Sequence, residues 1–415
     1  MNFQSGLSKS AFVPARRMEG VSESATLRLN ALVQKMRAEG EDVVNLTTGE
    51  PDFDVPEAAK EAAIDAIKKN RSKYTPAAGI PELRAKIAAR INAQQPSLQA
   101  VHPWTAADIV VTNGAKQAIF QSLLALVDEG DQVLIPAPYW LSYPEMAKLA
   151  SGKSMILPTL FEEGYILQAA ELEKALQNCA SSGTRARILF LNSPSNPTGG
   201  MYSRNDFRRL GDIILKSPFA QDLWVISDEI YDRIVYGDVA FCSFLEACPE
   251  LRDRVITVNG LSKSAAMTGW RVGWSVAPPS IQSSLVTLQG QSTSGINSVA
   301  QWASLAALDL PEETFADQIR QYRERRDLVL AILGQSGKLR VFSPLGAFYA
   351  WVDVRGACRT GEDSGQFSER LLSDGKVAVV PGDPFGGSGC IRISFAANLE
   401  TLRKGCERFV RLVEA

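Results

Sequence analysis

Five short apolar runs in the middle of the chain restrict its fold more than any other feature. They occupy residues 109–112, 132–135, 188–191, 223–227 and 255–258. Each is nearly continuous rather than alternating, as a strand covered on both faces requires. Stretches of helical or turn character separate them, and that alternation implies a mostly parallel α/β sheet. On the N-terminal side, residues 26–38 read as an amphipathic helix with Leu27, Ala31, Leu32, Lys35 and Met36 near one face. A short strand is expected over 43–46, followed by a turn at Gly49 and Pro51. Helices are expected over 57–68 and 81–92, the second starting at Pro81. Residues 281–332 read as long helices. Beyond them, strands at 348–352, 378–380 and 391–395 mix with helices, which suggests a smaller α+β domain.

Composition removes several classes of function. The formal net charge is -2, so there is no electrostatic case for nucleic acid or an acidic membrane surface as partner. The local cluster Arg323, Arg325 and Arg326 reads as a solvated helix face. None of the cysteines (Cys179, Cys242, Cys248, Cys358, Cys390, Cys406) forms a C-x-x-C pair, so they read as scattered thiols of a reducing compartment. His102 is the single histidine, which disfavours Ser-His-Asp and Cys-His catalysis and histidine-based metal sites. No metal is expected, and acid–base work falls to Lys, Tyr, Asp or Glu. No leader pattern is apparent, and no apolar stretch reaches the roughly 20 residues that a membrane helix needs. A soluble, cytoplasmic protein is the expectation. A dinucleotide-dependent dehydrogenase would need G-x-G-x-x-G after an early strand, and the run ending at Thr112 is followed by Gly114 alone.

Ligands of open parallel sheets bind beyond the carboxyl ends of the strands. The residues just after each run are therefore informative. After 109–112 comes Asn113-Gly114-Ala115-Lys116, opening a helix; after 188–191 comes a turn containing Asn196. After 223–227 come Asp228 and Tyr231, and after 255–258 come Lys263 and then Arg271. One sheet edge thus gathers a phosphate-compatible helix start, an amide, a carboxylate, a phenol, a lysine and an arginine. Those groups match the needs of pyridoxal phosphate (PLP): an amine for a Schiff base, a carboxylate against the pyridine nitrogen, donors for the phenolate oxygen, and amides with a cation for the phosphate. Each group also has a plainer reading. Asp228 could cap a helix, Trp140 and Tyr74 could be packing aromatics, and Asn196 could be a turn residue. Arg271 and Arg392 could be ordinary ion pairs, but each lies beside apolar or small-residue sequence, where an unpaired charge is costly and a bound anion is the better explanation.

Ten segments occur in order along the chain: LTTGEPDFDVP, SKYTPAAGIPELR, TNGAKQA, PAPYWLSYPEM, NSPSNPTGG, SDEIYD, VNGLSKSAAMTGWRVGW, TSGINSVAQWA, GAFYAWVD and CIRISFA. From about residue 20 to about residue 410 the chain resembles the class I PLP-dependent aminotransferases of fold type I, and within them bacterial aspartate aminotransferases. The resemblance implies a large PLP-binding domain over 56–305 with a mainly parallel seven-stranded sheet. The small α+β domain would combine 306–415 with part of the N-terminal segment 1–55. It also implies a homodimer whose active sites lie at the subunit interface.

Carried over by position, the resemblance makes Lys263 the Schiff-base lysine and proton carrier, and Asp228 the partner of the pyridinium nitrogen. Tyr231 and Asn196 would donate to the phenolate oxygen, and Trp140 would stack on the ring. The Gly114 and Ala115 amides with Arg271 would hold the phosphate, helped by Tyr74 from the neighbouring subunit. Arg392, Gly49 and Asn196 would receive the substrate α-carboxylate. Lys116 would read the distal carboxylate of a dicarboxylic substrate, which makes L-aspartate with 2-oxoglutarate the leading pair, exchanged by a ping-pong mechanism. Lys116 also has a plain reading as a solvated lysine, and a cation in a first helical turn is mildly unfavourable. Ser24 and Thr26 match a segment that folds over substrate, or Ser24 caps the helix after it. A basic residue found in some prephenate-accepting members is Ser22 here, which leans towards aspartate over prephenate, aromatic amino acids or alanine. The family's Ser or Thr three residues before the lysine is Gly260, leaving Ser262 as a weak substitute donor. A PLP-binding regulator would carry a helix-turn-helix domain, for which the roughly 20 residues before the match leave no room.

Overall fold

The computed structural model describes residues 14–237 and 239–415. All five apolar runs form strands of one seven-stranded sheet. Its strands are β1 (Ile109–Thr112), β2 (Gln132–Ala137), β3 (Lys153–Pro158), β4 (Ala186–Asn192), β5 (Trp224–Asp228), β6 (Val255–Gly260) and β7 (Gly273–Val276). Their spatial order is β1-β7-β6-β5-β4-β2-β3. β7 runs antiparallel to both neighbours and every other pairing is parallel.

Two strands, β3 and β7, lack the signal that makes the other five legible in the sequence. β3 is an edge strand with a largely open surface; its apolar stretch, Met155-Ile156-Leu157, is shorter than the other runs and ends at Pro158. β7 is buried but is only Gly-Trp-Ser-Val, too short to show a pattern.

The sheet is covered on both faces. Leu134, Leu189, Val225 and Val255 pack on one side with helices Glu57–Lys68, Pro81–Gln94 and Ser298–Leu308. Ile135, Ile188, Ile226 and Ile256 pack on the other with helices Ala115–Leu126 and Pro279–Ser292. Each such fully buried side chain contributes roughly 1.5–3 kcal/mol.

The antiparallel β7 has a direct consequence for function. The chain leaves β6 at the carboxyl edge of the sheet and re-enters β7 at that same edge, since Gly260 and Thr112 both pair with Gly273. The connecting residues 261–272 therefore stay beside the start of helix Ala115–Leu126. The approach is close enough that a Cβ on Gly273 would lie 2.4 Å from the Ala115 nitrogen.

The C-terminal part forms a four-stranded antiparallel sheet of β8 (Arg340–Phe342), β9 (Tyr349–Asp353), β10 (Val380–Pro381) and β11 (Cys390–Ser394), in the order β10-β11-β9-β8. The expected strand over 378–380 divides in two. Val377–Ala378 pairs parallel with Val44–Asn45 from the N-terminal segment, and only Val380–Pro381 joins β11. Val44, Leu46, Tyr322, Phe348, Phe367 and Phe409 share one core there.

The long helical stretch is three helices, Pro279–Ser292, Ser298–Leu308 and Glu313–Leu333. The first break contains Ser294 at φ 56° and the N-cap Asn297, whose side chain accepts from the Ala300 amide. The basic cluster on the third helix is not a uniformly solvated face. Arg325 is only 5% exposed, and its guanidinium is paired with both Asp52 oxygens at 2.6 and 3.0 Å. Among the described residues no helix is long and apolar enough to cross a membrane.

Candidate active site

Asp228 ends β5 and Lys263 lies in the short helix after β6, so adjacent parallel strands deliver both to one edge. Asp228 is 4% exposed. Its carboxylate accepts the Tyr143 hydroxyl at 2.7 Å and the Ile230 amide at 3.3 Å. Burial nevertheless pushes its pKa up to about 6. Lys263 donates from Nζ to the Gly49 carbonyl at 2.6 Å. Burial pulls its pKa down to about 8; Glu50 and Asp228 oppose that fall, and Arg392 and Arg271 add to it.

Next to this pair lies the start of helix Ala115–Leu126. Gly114 has φ 78°, and a Cβ there would meet Arg271 Nη2 at 2.6 Å, so glycine answers both a backbone and a space requirement. Arg271 is held in the left-handed region at φ 56°, at a cost of about 1–3 kcal/mol of the kind stored at functional sites. Its guanidinium donates to the Thr268 carbonyl at 3.0 Å and the Asn113 carbonyl at 3.1 Å. A helix N-terminus and an exposed arginine thus converge on one point, the arrangement that binds phosphate.

Arg392 on β11 approaches from the smaller domain and is 2% exposed. Its Nη1 donates to Asn196 Oδ1 at 2.9 Å and its Nη2 to the Thr47 carbonyl at 2.8 Å. Its Nε has no partner among the described residues. A buried guanidinium with only neutral acceptors and an unpartnered Nε has the chemistry to receive an anion. Asn196 is positioned in turn by Asn192, whose Oδ1 accepts the Asn196 amide at 2.9 Å.

The other expected residues fall around this centre. The Tyr231 hydroxyl contacts the Tyr349 hydroxyl at 2.9 Å. Trp140 is half-buried, edge-on to Tyr143 at 5.4 Å. The Lys116 amine lies 4.9 Å from the Trp140 ring centre; burial, and then Arg271, lower its pKa. Ser24 stands at the N-cap position of helix Ala25–Ala38, but its side chain makes no capping bond. Ser22 donates its amide to Glu145 at 3.0 Å. Tyr74 does not join its own chain's site, being 98% exposed. Gly260 leaves no room for the family's hydroxyl side chain, since a Cβ there would lie 2.8 Å from the Val272 carbonyl oxygen.

Sequence reasoning missed four contributors. Tyr143 supports Asp228, Tyr349 supports Tyr231, Asn192 supports Asn196, and the Thr47 carbonyl supports Arg392. A usable signal existed for one of them, because a buried strand-end carboxylate needs a donor and Tyr143 lies within the same motif as Trp140.

Beyond this geometry, residues 41–409 match the model of the family described as aminotransferase class I and II. The chain belongs to that family.

A relative named "probable aspartate/prephenate aminotransferase", from Rhizobium leguminosarum bv. phaseoli, is 38% identical to this aminotransferase over 97% of this chain and 98% of its own. The structure of the aspartate aminotransferase from Rhizobium meliloti superposes with a TM-score of 0.90 at 36% identity, covering 97% of this chain and 99% of the other. That of the Thermus thermophilus aspartate aminotransferase with maleate gives 0.88 at 37% identity, covering 97% and 100%. The fold is therefore fold type I, and the protein is a PLP-dependent enzyme. The residues present fit that cofactor. A buried carboxylate and a buried amine of depressed pKa sit beside a helix start that excludes a Cβ, with a cation across it.

Proposed function

We propose that this aminotransferase exchanges amino groups between L-aspartate and 2-oxoglutarate in two ping-pong half-reactions. The observation that carries the substrate class is a pair of cations without carboxylate partners among the described residues. Arg392 is buried on neutral acceptors, and Lys116 rests over Trp140. Two such cations suit a substrate with two carboxylates. The maleate in the Thermus thermophilus structure is itself a four-carbon dicarboxylate.

PLP supplies the electron sink for the pair left at the substrate Cα. Lys263 would hold the cofactor, and its amine, when free, would carry the Cα proton. Burial, which lowers the Lys263 pKa to about 8, favours the neutral amine that this task needs. The Asp228 carboxylate, kept in place by Tyr143, accepts the proton-bearing pyridine nitrogen. Tyr231 and Asn196 would donate to the cofactor's phenolate oxygen, and Trp140 would pack against its ring. The Gly114 and Ala115 amides and Arg271 hold the phosphate. Arg392 grips the α-carboxylate, beside the Gly49 backbone.

Tyr74 serves the neighbouring subunit's phosphate in a homodimer, a reading supported by its full exposure. The domain division at about residues 55 and 305 is supported by the pairing of Val44–Asn45 with Val377–Ala378. The enzyme works in the cytoplasm.

The test is the visible spectrum of the purified protein before and after L-aspartate, with no oxo acid present. A yellow band that bleaches supports the proposal. A band unmoved by aspartate rejects the substrate and points to prephenate-pathway or aromatic donors. Prephenate is the second reading to assay, since the Rhizobium leguminosarum relative carries it in its name. No band after incubation with PLP rejects the whole reading.

A further inference from the structure

Residues 47–52 cross the active site as a strap, and four of them are tied to four different side chains. The Thr47 carbonyl accepts from Arg392 at 2.8 Å, and the Gly49 carbonyl accepts from Lys263 at 2.6 Å. Glu50 Oε2 accepts the Thr268 hydroxyl at 2.9 Å, and Asp52 is paired with Arg325 at 2.6 Å. Thr268 is not a neutral anchor point. It lies between Lys263 and Arg271, and its own carbonyl accepts from Arg271. The Glu50 carboxylate is thus fastened to the loop that carries the lysine, one residue from the carbonyl on which that lysine rests.

The charges facing Lys263 come from four places. Glu50 on the strap and Asp228 at the end of β5 favour its ammonium, and Arg392 on β11 and Arg271 oppose it. Glu50 exerts the largest effect of the four. With the cofactor bound, Asp228 would pair with the pyridinium and Arg271 with the phosphate, so each would be compensated. Substrate carboxylate compensates Arg392. Glu50 has no such partner in the reaction; its own neighbours in the cavity beside the strap are Arg37, which donates to the Val43 carbonyl, and Asp52, which is held by Arg325.

We propose that Glu50 is a positioning residue of the transamination: clamped by Thr268, it fixes the Gly49 carbonyl that accepts from Lys263 and keeps a negative charge beside the lysine nitrogen. The inference rests on the reading of Lys263 as the cofactor lysine. It assigns to the motif GEPDF a task beyond backbone contact with substrate. Glu50 touches neither cofactor nor substrate in this scheme, and acts through Gly49 and through its field.

The experiment uses the holoenzyme. Borohydride reduction and peptide mapping first locate the cofactor. Spectrophotometric pH titration of the bound cofactor then reads the proton on its linkage to the lysine. In Glu50→Gln the midpoint is expected to fall by about one pH unit, because a negative charge beside a cation has been removed. Glu50→Asp, which keeps the charge, is expected to retain most of the wild-type midpoint. In Thr268→Ala the carboxylate loses its tether, and the midpoint falls by a smaller amount. The rate at which apoenzyme takes up PLP should shift along the pH axis in the same direction, since it depends on neutral Lys263.

A Glu50→Gln midpoint equal to wild type, with Lys263 labelled and the thermal midpoint unchanged, overturns the role of Glu50 alone. An equal fall in Glu50→Asp also overturns it, because packing rather than charge would then be responsible. If Glu50→Gln does not fold, Thr268→Ala decides: a lowered midpoint supports the inference and an unmoved one overturns it. Cofactor on a different lysine overturns both the reading of Lys263 and this inference.

Discussion

The Tyr143 hydroxyl donates to Asp228 Oδ2 at 2.7 Å, and the ring behind that hydroxyl stacks on Phe190 at 4.2 Å. The carboxylate is therefore aimed by a side chain that is itself immobilised by packing. Removing the hydroxyl alone, in Tyr143→Phe, leaves the stacking and deletes the donor. Bonds to charged groups are worth about 1.5–3 kcal/mol, so the affinity for PLP should fall about 10- to 100-fold. The loss should be greatest on the acid side, because Asp228 then protonates at higher pH. Equilibrium dialysis of PLP against apoenzyme across pH measures this.

Asp228 also sets a pH dependence of the apoenzyme. Its folded pKa of about 6 is above the ordinary value of 3.8, so the folded state holds the proton more tightly than the unfolded one. Stability contributed by Asp228 is thus greatest below its ordinary pKa and is lost as pH rises to about 6. Above that the ionised group costs about 3 kcal/mol. Asp228→Asn, which can still accept from Tyr143, should raise the thermal midpoint of the apoenzyme at pH 8 and weaken PLP binding. Paired thermal melts at pH 5 and pH 8 check it, with the difference between variants about twice as large at pH 8 as at pH 5.

Lys116 tests the substrate class. Lys116→Gln keeps a polar side chain, one atom shorter, and removes the charge, and kcat/KM for L-aspartate should fall about 10- to 100-fold. For L-alanine, which lacks a distal carboxylate, it should change by less than about threefold. Equal losses for both donors would show that the lysine acts on something other than the distal group.

Gly114→Ala places a Cβ 2.6 Å from Arg271 Nη2 and forces a side chain to φ 78°. The left-handed conformation alone costs about 1–2 kcal/mol, so PLP affinity should fall by at least about tenfold. Apoenzyme secondary structure, read by circular dichroism, should be unchanged.

Tyr74→Phe separates an interface role from a packing role. The side chain buries nothing in its own chain, so the substitution should leave the stability of an isolated subunit within about 0.5 kcal/mol. In the dimer it should raise the Kd for PLP by about tenfold, the value of one hydroxyl-to-phosphate bond. An unchanged Kd removes Tyr74 from the cofactor site.

Five strands of the sheet, and the residues that stand at its carboxyl edge, were readable from the residues alone. Continuous apolar runs can only be satisfied by cover on both faces, and the residues just after each run must then stand at the carboxyl edge; Gly114, Asp228, Lys263 and Arg271 were legible for that reason. How those groups are held depends on contacts that arise on folding. β7 had to turn back antiparallel to bring Arg271 against Gly114, and nothing in Gly-Trp-Ser-Val announces a strand or its direction. Arg325 belongs to a run of charges that looks solvated, and only the fold brings Asp52, far away in sequence, onto it. The supports of Asp228, Tyr231 and Arg392 were invisible for the same physical reason. A hydrogen bond across the sheet or between domains leaves no local period in the chain, because it depends on distance in space and not on spacing in sequence.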